Sequence, residues 1–507
     1  MADEAQTIRS INWREVFPFT HLFRAFRIAV HPSKLLLALA ALLLIYAGGR
    51  SLDAVWPTPY KSPPAEFAYA RDPFGGSRDD IAEMVRQLRT GTSPEATASR
   101  VGDNRGIFIS FFEFEVAQVN NVTEAVLANR WFGDRAIPGV FHYIWAFLAI
   151  GPGILFANHP VYAVLFFAWF LLVWSLFGGA IARIAAVHVA RDEKISVRQA
   201  LRFSISKVLS FLFAPLIPLL IILVIGVIVS AVGWVLLHIP VVGPVIMGLV
   251  FFLALLAGFI MTLVALGTIG GFNLMFPTVA VEGSDSFDAI SRSFSYVFAR
   301  PWRMLWYTLV SLVYGGIAYL FVRFFLFVML SLTHFFVGWW LGGQPARHWN
   351  GPASPADPPA VIWPAPTWDN LTYNVDYAHL ETSEDIAAAE ISFWVYLTVG
   401  LLGAFAISFY FSANTIVYYL MRREVDATEL DDVYVEETED EFGEPPPATP
   451  PAAAGAATAP SAVPAGSTEA SATGGARAYG TEGGSSAAAE PPRETDTGGG
   501  AGSSETR

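Results

Sequence analysis

Few residues in this 507-residue chain are placed to do chemistry, and the densest group is Glu282-Gly283 followed by Ala289, Arg292 and Ser293. Asp288 and Arg292 stand four apart on a predicted helix and make a weak stabilising pair. No nucleophile–base set can be named around Ser293, because no histidine or lysine recurs beside it at helical spacing. Two more polar residues stand inside apolar tracts. Arg323 is the only formal charge in the tract that ends at Trp340. It reads as an anion site, since charges inside a membrane are costly and purposeful, or as a snorkelling cation. The second reading is the more economical, because ~22 residues at ~1.5 Å each already cross the hydrocarbon. Asn414 is the only strongly polar member of the last apolar tract.

What is missing narrows the chemistry further. There is no cysteine among the residues, which excludes disulfides, thiolate zinc sites and cysteine nucleophiles. No G-x-x-x-x-G-K-[ST], H-E-x-x-H or G-x-S-x-G pattern occurs. The histidines fall at tract edges, where a structural role is the commoner one. No carboxylate lies in the core of any apolar tract, which disfavours an ion-coupled carrier. No basic stripe suggests nucleic acid. The expectation is a non-enzyme with no cofactor and no metal.

The elements that must position these residues follow from composition. The chain is 54% hydrophobic and 15% charged, against about 25% charged in soluble domains, so its apolar surface requires a bilayer. The expected fold is all-α: a polytopic helical membrane protein of about six transmembrane helices with interfacial amphipathic helices. An amphipathic amino terminus (1–33) precedes span one (34–52). In it Thr20 would cap a helix that buries Leu22, Phe23, Phe26 and Val30 and keeps Arg24 and Arg27 wet. Lys34 and Arg50 would snorkel from the ends of span one. An outer segment (53–160) includes a helix at 79–88. It also includes an apolar stretch broken by Gly151-Pro152-Gly153, read as interfacial or re-entrant. Spans two to five occupy 161–340. Pro215 and Pro218 should kink the third, and the glycines at 248, 258, 267, 270 and 271 should permit close helix approach in the fourth. A second outer segment (341–390), span six (391–421), an acidic stretch (422–444) and a disordered tail (445–507) complete the chain.

Two amphipathic helices join spans, near 195–207 and 285–298. Ser196 and Gln199 form a capping box for the first, and Ser284 to Ser286 supply caps for the second. The second would present Phe287, Ile290, Phe294, Val297 and Phe298 on one face. Lys and Arg concentrate in these connections, which puts them and both termini in the cytoplasm by the positive-inside rule. Glu193, Ala200 and Ser204 align at one constant offset with Glu282, Ala289 and Ser293, a span-level internal repeat.

The stretch Pro277-Thr278-Val279-Ala280-Val281-Glu282-Gly283, with Ala289, Arg292 and Ser293, resembles a motif of bacterial polytopic membrane families without an assigned chemistry. One of these is the membrane domain associated with glycerophosphodiester phosphodiesterases. The resemblance implies a helical membrane domain of about six spans in the bacterial inner membrane. The phosphodiesterase catalytic domain is absent, so that activity does not carry over. The expected role is a membrane scaffold or accessory subunit, with the lipid bilayer as its surroundings and protein partners met through the outer segments and the acidic carboxy-terminal region. A passive transporter or lipid-handling protein is the alternative, and an intramembrane enzyme comes third.

Overall fold

The computed structural model describes residues 16–57, 67, 106–133, 137–341, 349, 361–368, 371 and 380–434, all within one unit that ends at Glu436. The helix expected at 79–88 and the tail from 445 lie outside the described residues. Among the described residues the fold is all-α, and the one β feature is an isolated bridge between Gly133 and Pro138. Seven helices are long and apolar enough to cross a membrane, so the chain is a multi-pass helical membrane protein.

A 3-10 turn, Pro18–Phe23, runs into α1 (Arg24–Ala29). Thr20 does not cap α1; its hydroxyl donates back to the Phe17 carbonyl at 2.8 Å. The 3-10 turn advances each residue by more than an α-helix does, which rotates the buried face. Leu22, Ala25, Ile28 and Ala29 face the bundle, while Phe23 and Val30 of the expected apolar face are exposed. Pro32 then opens α2 (Pro32–Val55), a position where its missing N–H costs nothing. Lys34 does not snorkel. It is fully buried, with Nζ 3.5 Å from Ser412 Oγ.

Asp53, near the end of α2, caps the next helix, α3 (Ile107–Leu127), by accepting from the Phe108 and Ile109 amides at 2.9 and 3.3 Å. It also accepts from the Tyr162 hydroxyl at 2.8 Å. The Gly151-Pro152-Gly153 stretch is not broken backbone. α4 (Val140–Trp145) passes through a π-helical turn at Ala146–Ile150 into α5 (Gly151–Asn158). Pro152 sits in the first turn of α5, where a proline is tolerated. Val140–Asn158 as a whole is the helical stretch that brings the long apolar helices to seven.

The remaining spans are α6 (Pro160–Arg191), α8 (Val208–Leu237), α9 (Val242–Glu282), α11 (Pro301–Gly338) and α12 (Thr382–Asp426), with α7 (Val197–Ser206) and α10 (Ser286–Ala299) between them. Each apolar tract read from sequence lies inside one of these helices. α12 is central and packs on α2, α6, α9 and α11. Its partner α6 is buried along Gly178–His188, a run of small residues that lets neighbouring backbones approach.

α7 and α10 each fold back on the span before them. Ser196 caps α7 by accepting from the Gln199 amide at 3.2 Å, and Asp285 caps α10 by accepting from the Asp288 amide at 2.9 Å. Both helices bury an alanine and a serine at matching positions, Ala200 and Ser204, Ala289 and Ser293. Ser204 lies against Gly179 of α6, and Ser293 against Gly271 of α9. The repeat is therefore visible in packing, since each serine sits where a glycine on the preceding span leaves room. The face that α10 buries is consequently its small one. Phe287 and Phe298 point away from the bundle, while Ile290, Phe294 and Val297 flank the contact.

α8 and α9 form a hairpin that joins the bundle at one end only. Phe211, Ala214, Pro215 and Pro218 are buried at the start of α8, and Leu274 to Val281 at the end of α9. Both prolines sit within a continuous helix, on its packed face. Between these ends the side chains are exposed, Leu223 and Leu249 among them. Gly267, Gly270 and Gly271 receive α10 closely, as expected, but Gly248 and Gly258 have nothing near the position of a Cβ.

Candidate functional site

The carboxy-terminal end of α9 carries Glu282 to the same end of the bundle as α1, and four elements converge on it. Gly283 ends the helix in the left-handed conformation, φ 63°, which glycine adopts without steric cost. The chain reverses through the Asp285 cap into α10, and Arg292 comes back over Glu282. Its Nε lies 2.8 Å from Glu282 Oε2 and Nη1 donates to Oε1 at 3.0 Å. Arg292 also donates to Asp288 at 3.2 Å and lies 3.8 Å from Asp426.

From α12, Tyr418 donates to Glu282 Oε1 and, one helical turn on, Arg422 Nε lies 3.4 Å from the same oxygen, within ion-pair range but without hydrogen-bond geometry. Tyr296 of α10 donates in turn to Asp426. Next to this group, Arg303 pairs with Glu424, which accepts from Tyr307 at 3.3 Å. Burial, then the Asp426 carboxylate, push the Tyr296 hydroxyl well above the usual tyrosine range, so it stays a neutral donor. Burial opposes the charge on Arg292, but Glu282 and Asp288 outweigh it and raise its pKa.

The segment after α12 is bound into this knot. Arg422 clamps Asp432 twice, through its carbonyl at 2.9 Å and its carboxylate at 2.6 Å. Arg183 of α6 bridges the Ala280 carbonyl at 2.8 Å and the Tyr434 carbonyl at 2.7 Å, with its guanidinium 4.4 Å from the Phe203 ring centroid. The Tyr434 amide donates to the Val281 carbonyl at 2.8 Å, an otherwise orphaned helix-end acceptor, and Val433 is buried. Residues 427–434 thus form a strap across the end of the bundle. A Cβ on Gly283 would stand 2.6 Å from the Tyr434 ring. Gly283→Ala should therefore strain both the helix end and the strap, costing ~1–2 kcal/mol. Limited proteolysis of the full chain should show faster cleavage within 427–436, and an unchanged rate would refute the coupling.

Glu282, Gly283, Arg292, Ala289 and Ser293 are brought together here, the first three in the knot and the last two in the contact that seats α10. The repeat fails at its acidic position, since Glu193 is exposed. Asn414 is buried on α12 one turn before Tyr418 and makes none of the bonds described. Arg323 lies elsewhere and neither snorkels nor stands open to an anion. It is 2% exposed, donates to Asn120 of α3 at 3.0 Å and to the Trp368 carbonyl at 2.9 Å, and so ties α11 to both outer segments.

Sequence reading missed Arg183, Tyr296, Tyr418, Arg422, Asp426 and Tyr434. The available signal was Tyr418 and Arg422 four apart at the end of a span, on the face opposite lipid. Chemically the knot holds carboxylates saturated by guanidinium and phenol donors, which suits a rigid joint. No protein-family model, curated protein or solved structure matches this chain.

Proposed function

We propose that the protein is a membrane scaffold or accessory subunit that presents its acidic carboxy-terminal region from a fixed point on the bundle. The observation that supports this is the strap: buried Arg183, half-buried Arg422 and a helix-end carbonyl hold residues 427–434. Residues 427–434 are therefore held at a set position on the bundle. In this reading the knot end faces the cytoplasm of a bacterial inner membrane, where the basic residues of 182–207 and 269–303 favour it, and protein partners engage the acidic region and the outer segments.

The test is crosslinking and pull-down with the full chain and with a chain ending at Glu436. The cut belongs there because Glu424, Asp426 and Asp432 are part of the knot. Partners held by the full chain should be lost from the truncated one while its thermal unfolding stays the same. An unchanged partner set refutes a role for the tail. The α8–α9 hairpin, open along most of its length, favours lipid handling as the second reading. The same truncated protein in liposomes tests that, through movement of labelled lipid between leaflets.

A further inference from the structure

A groove of ≈ 710 Å³ runs between the amino-terminal turn with α1 and the last turn of α6. Its polar lining is Thr20, Arg24, Arg27, Arg191 and Asp192, with Phe23 at its edge. Asp192 ends α6 in the left-handed conformation, φ 56°, its amide donating to the His188 carbonyl at 3.2 Å. That turn aims its carboxylate back between Arg24 and Arg27, at 3.7 and 3.4 Å. One carboxylate thus faces three guanidinium groups, Arg24, Arg27 and Arg191, and the groove keeps a surplus of positive charge.

Behind the groove lie two buried nitrogen groups. Lys34 is fully buried with Ser412 at 3.5 Å, and the Nδ1 atom of His31 is buried without a hydrogen-bond partner. His31 stacks edge-on to His188, ring centroids 6.2 Å apart. Burial, then Lys34 and Lys194, lower the His31 pKa, which favours its neutral form. The apolar side chains at the groove are Phe23, 51% exposed, and Val189 and Ala190, half-buried. A groove with surplus cations inside and exposed apolar side chains at its edge matches a ligand with a phosphate at one end and acyl chains at the other.

We propose that this groove binds the headgroup of an anionic glycerophospholipid, with Arg27 and Arg191 on the phosphate and Phe23 against the acyl region. The surplus charge selects a net-anionic headgroup over a zwitterionic one, whose ammonium would meet the same cations. This site does not depend on the scaffold reading; it needs only that the bundle is embedded in a bilayer.

The test uses the full chain in detergent and native mass spectrometry with added phosphatidylglycerol or phosphatidylethanolamine. The first lipid should bind more tightly. The double variant Arg27→Gln/Arg191→Gln should lose about thirtyfold in affinity for it, from about fivefold per surface arginine. Arg198→Gln/Arg202→Gln, which removes equal charge from the exposed face of α7, should lose much less. Equal losses in the two double variants would overturn the proposal by reducing it to bulk electrostatics. Equal binding of the two lipids would overturn the headgroup assignment. Displacement of the lipid by inorganic phosphate at its own concentration would assign the groove to a free phosphate instead. Circular dichroism of each variant separates lost binding from lost fold, and Arg27→Lys, which keeps the charge, should retain most of the affinity.

Discussion

Glu282→Ala should lower the unfolding free energy of the bundle by ~3–5 kcal/mol, the range for removing one partner from a buried ion pair. The Glu282 side chain is 9% exposed and that of Arg422 12%, so water cannot cheaply replace the lost carboxylate at Arg422, whereas Arg292, 40% exposed, stays solvated. Tyr418 would lose its acceptor as well, leaving a buried hydroxyl unsatisfied. Glu282→Gln keeps an acceptor for Tyr418 and should cost less, about half. Glu193→Ala, at the equivalent position of the repeat but exposed, should change nothing measurable. Unfolding in mixed micelles, followed by tryptophan fluorescence, reads all three. A loss under ~1 kcal/mol for Glu282→Ala would show that the knot is not a joint. Paired with Tyr418→Phe in a double-mutant cycle, the same measurement gives the coupling between α9 and α12.

The contrast between Glu282 and Glu193 also marks how far the chain could be read before its structure was known. Hydropathy placed the spans because a bilayer leaves helices few alternatives, and α8 runs over the residues expected, Val208 to Leu237. The caps at Ser196 and near Asp285 were legible because capping is local chemistry. What sequence alone could not give was partner identity across long separations. Arg183 finds Tyr434, and Lys34 finds Ser412, only through the packing of α2, α6 and α12. The rule that long cations snorkel failed at both Lys34 and Arg323 for one reason. Neighbouring helices or outer segments close over each residue and supply oxygen acceptors, so water is not the only option. On α1 and α10 an apolar face was legible, but periodicity could not say which of its large apolar side chains meet protein. In a bilayer they are equally satisfied by lipid, and small residues take the helix contact.

The same argument points to Glu115 as a second residue with a large energetic signature. It lies on α3, outside the seven long apolar helices, with both carboxylate oxygens buried and no hydrogen-bond partner. One oxygen presses against α5, where a Cβ on Gly151 would be 2.0 Å from it. Burial raises the Glu115 pKa to about 8 from 4.5, so the folded protein holds a proton there that the unfolded chain releases above pH 4.5. Stability contributed by the neutral acid is therefore fully present below pH 4.5, falls as pH rises, and levels off above about 8. The fall should reach ~3 kcal/mol, discounted from the full linkage value because the residue is only half-buried. Glu115→Gln removes the titration and should raise the unfolding midpoint at pH 8.5 while leaving it nearly unchanged at pH 4.5, both values chosen to bracket the window. Gly151→Ala should destabilise at every pH by driving a methyl into the carboxyl. Gly153→Ala, two residues away with open space around it, serves as the control. If wild type and Glu115→Gln show parallel pH profiles between those limits, Glu115 is solvated, and α5 does not close over it.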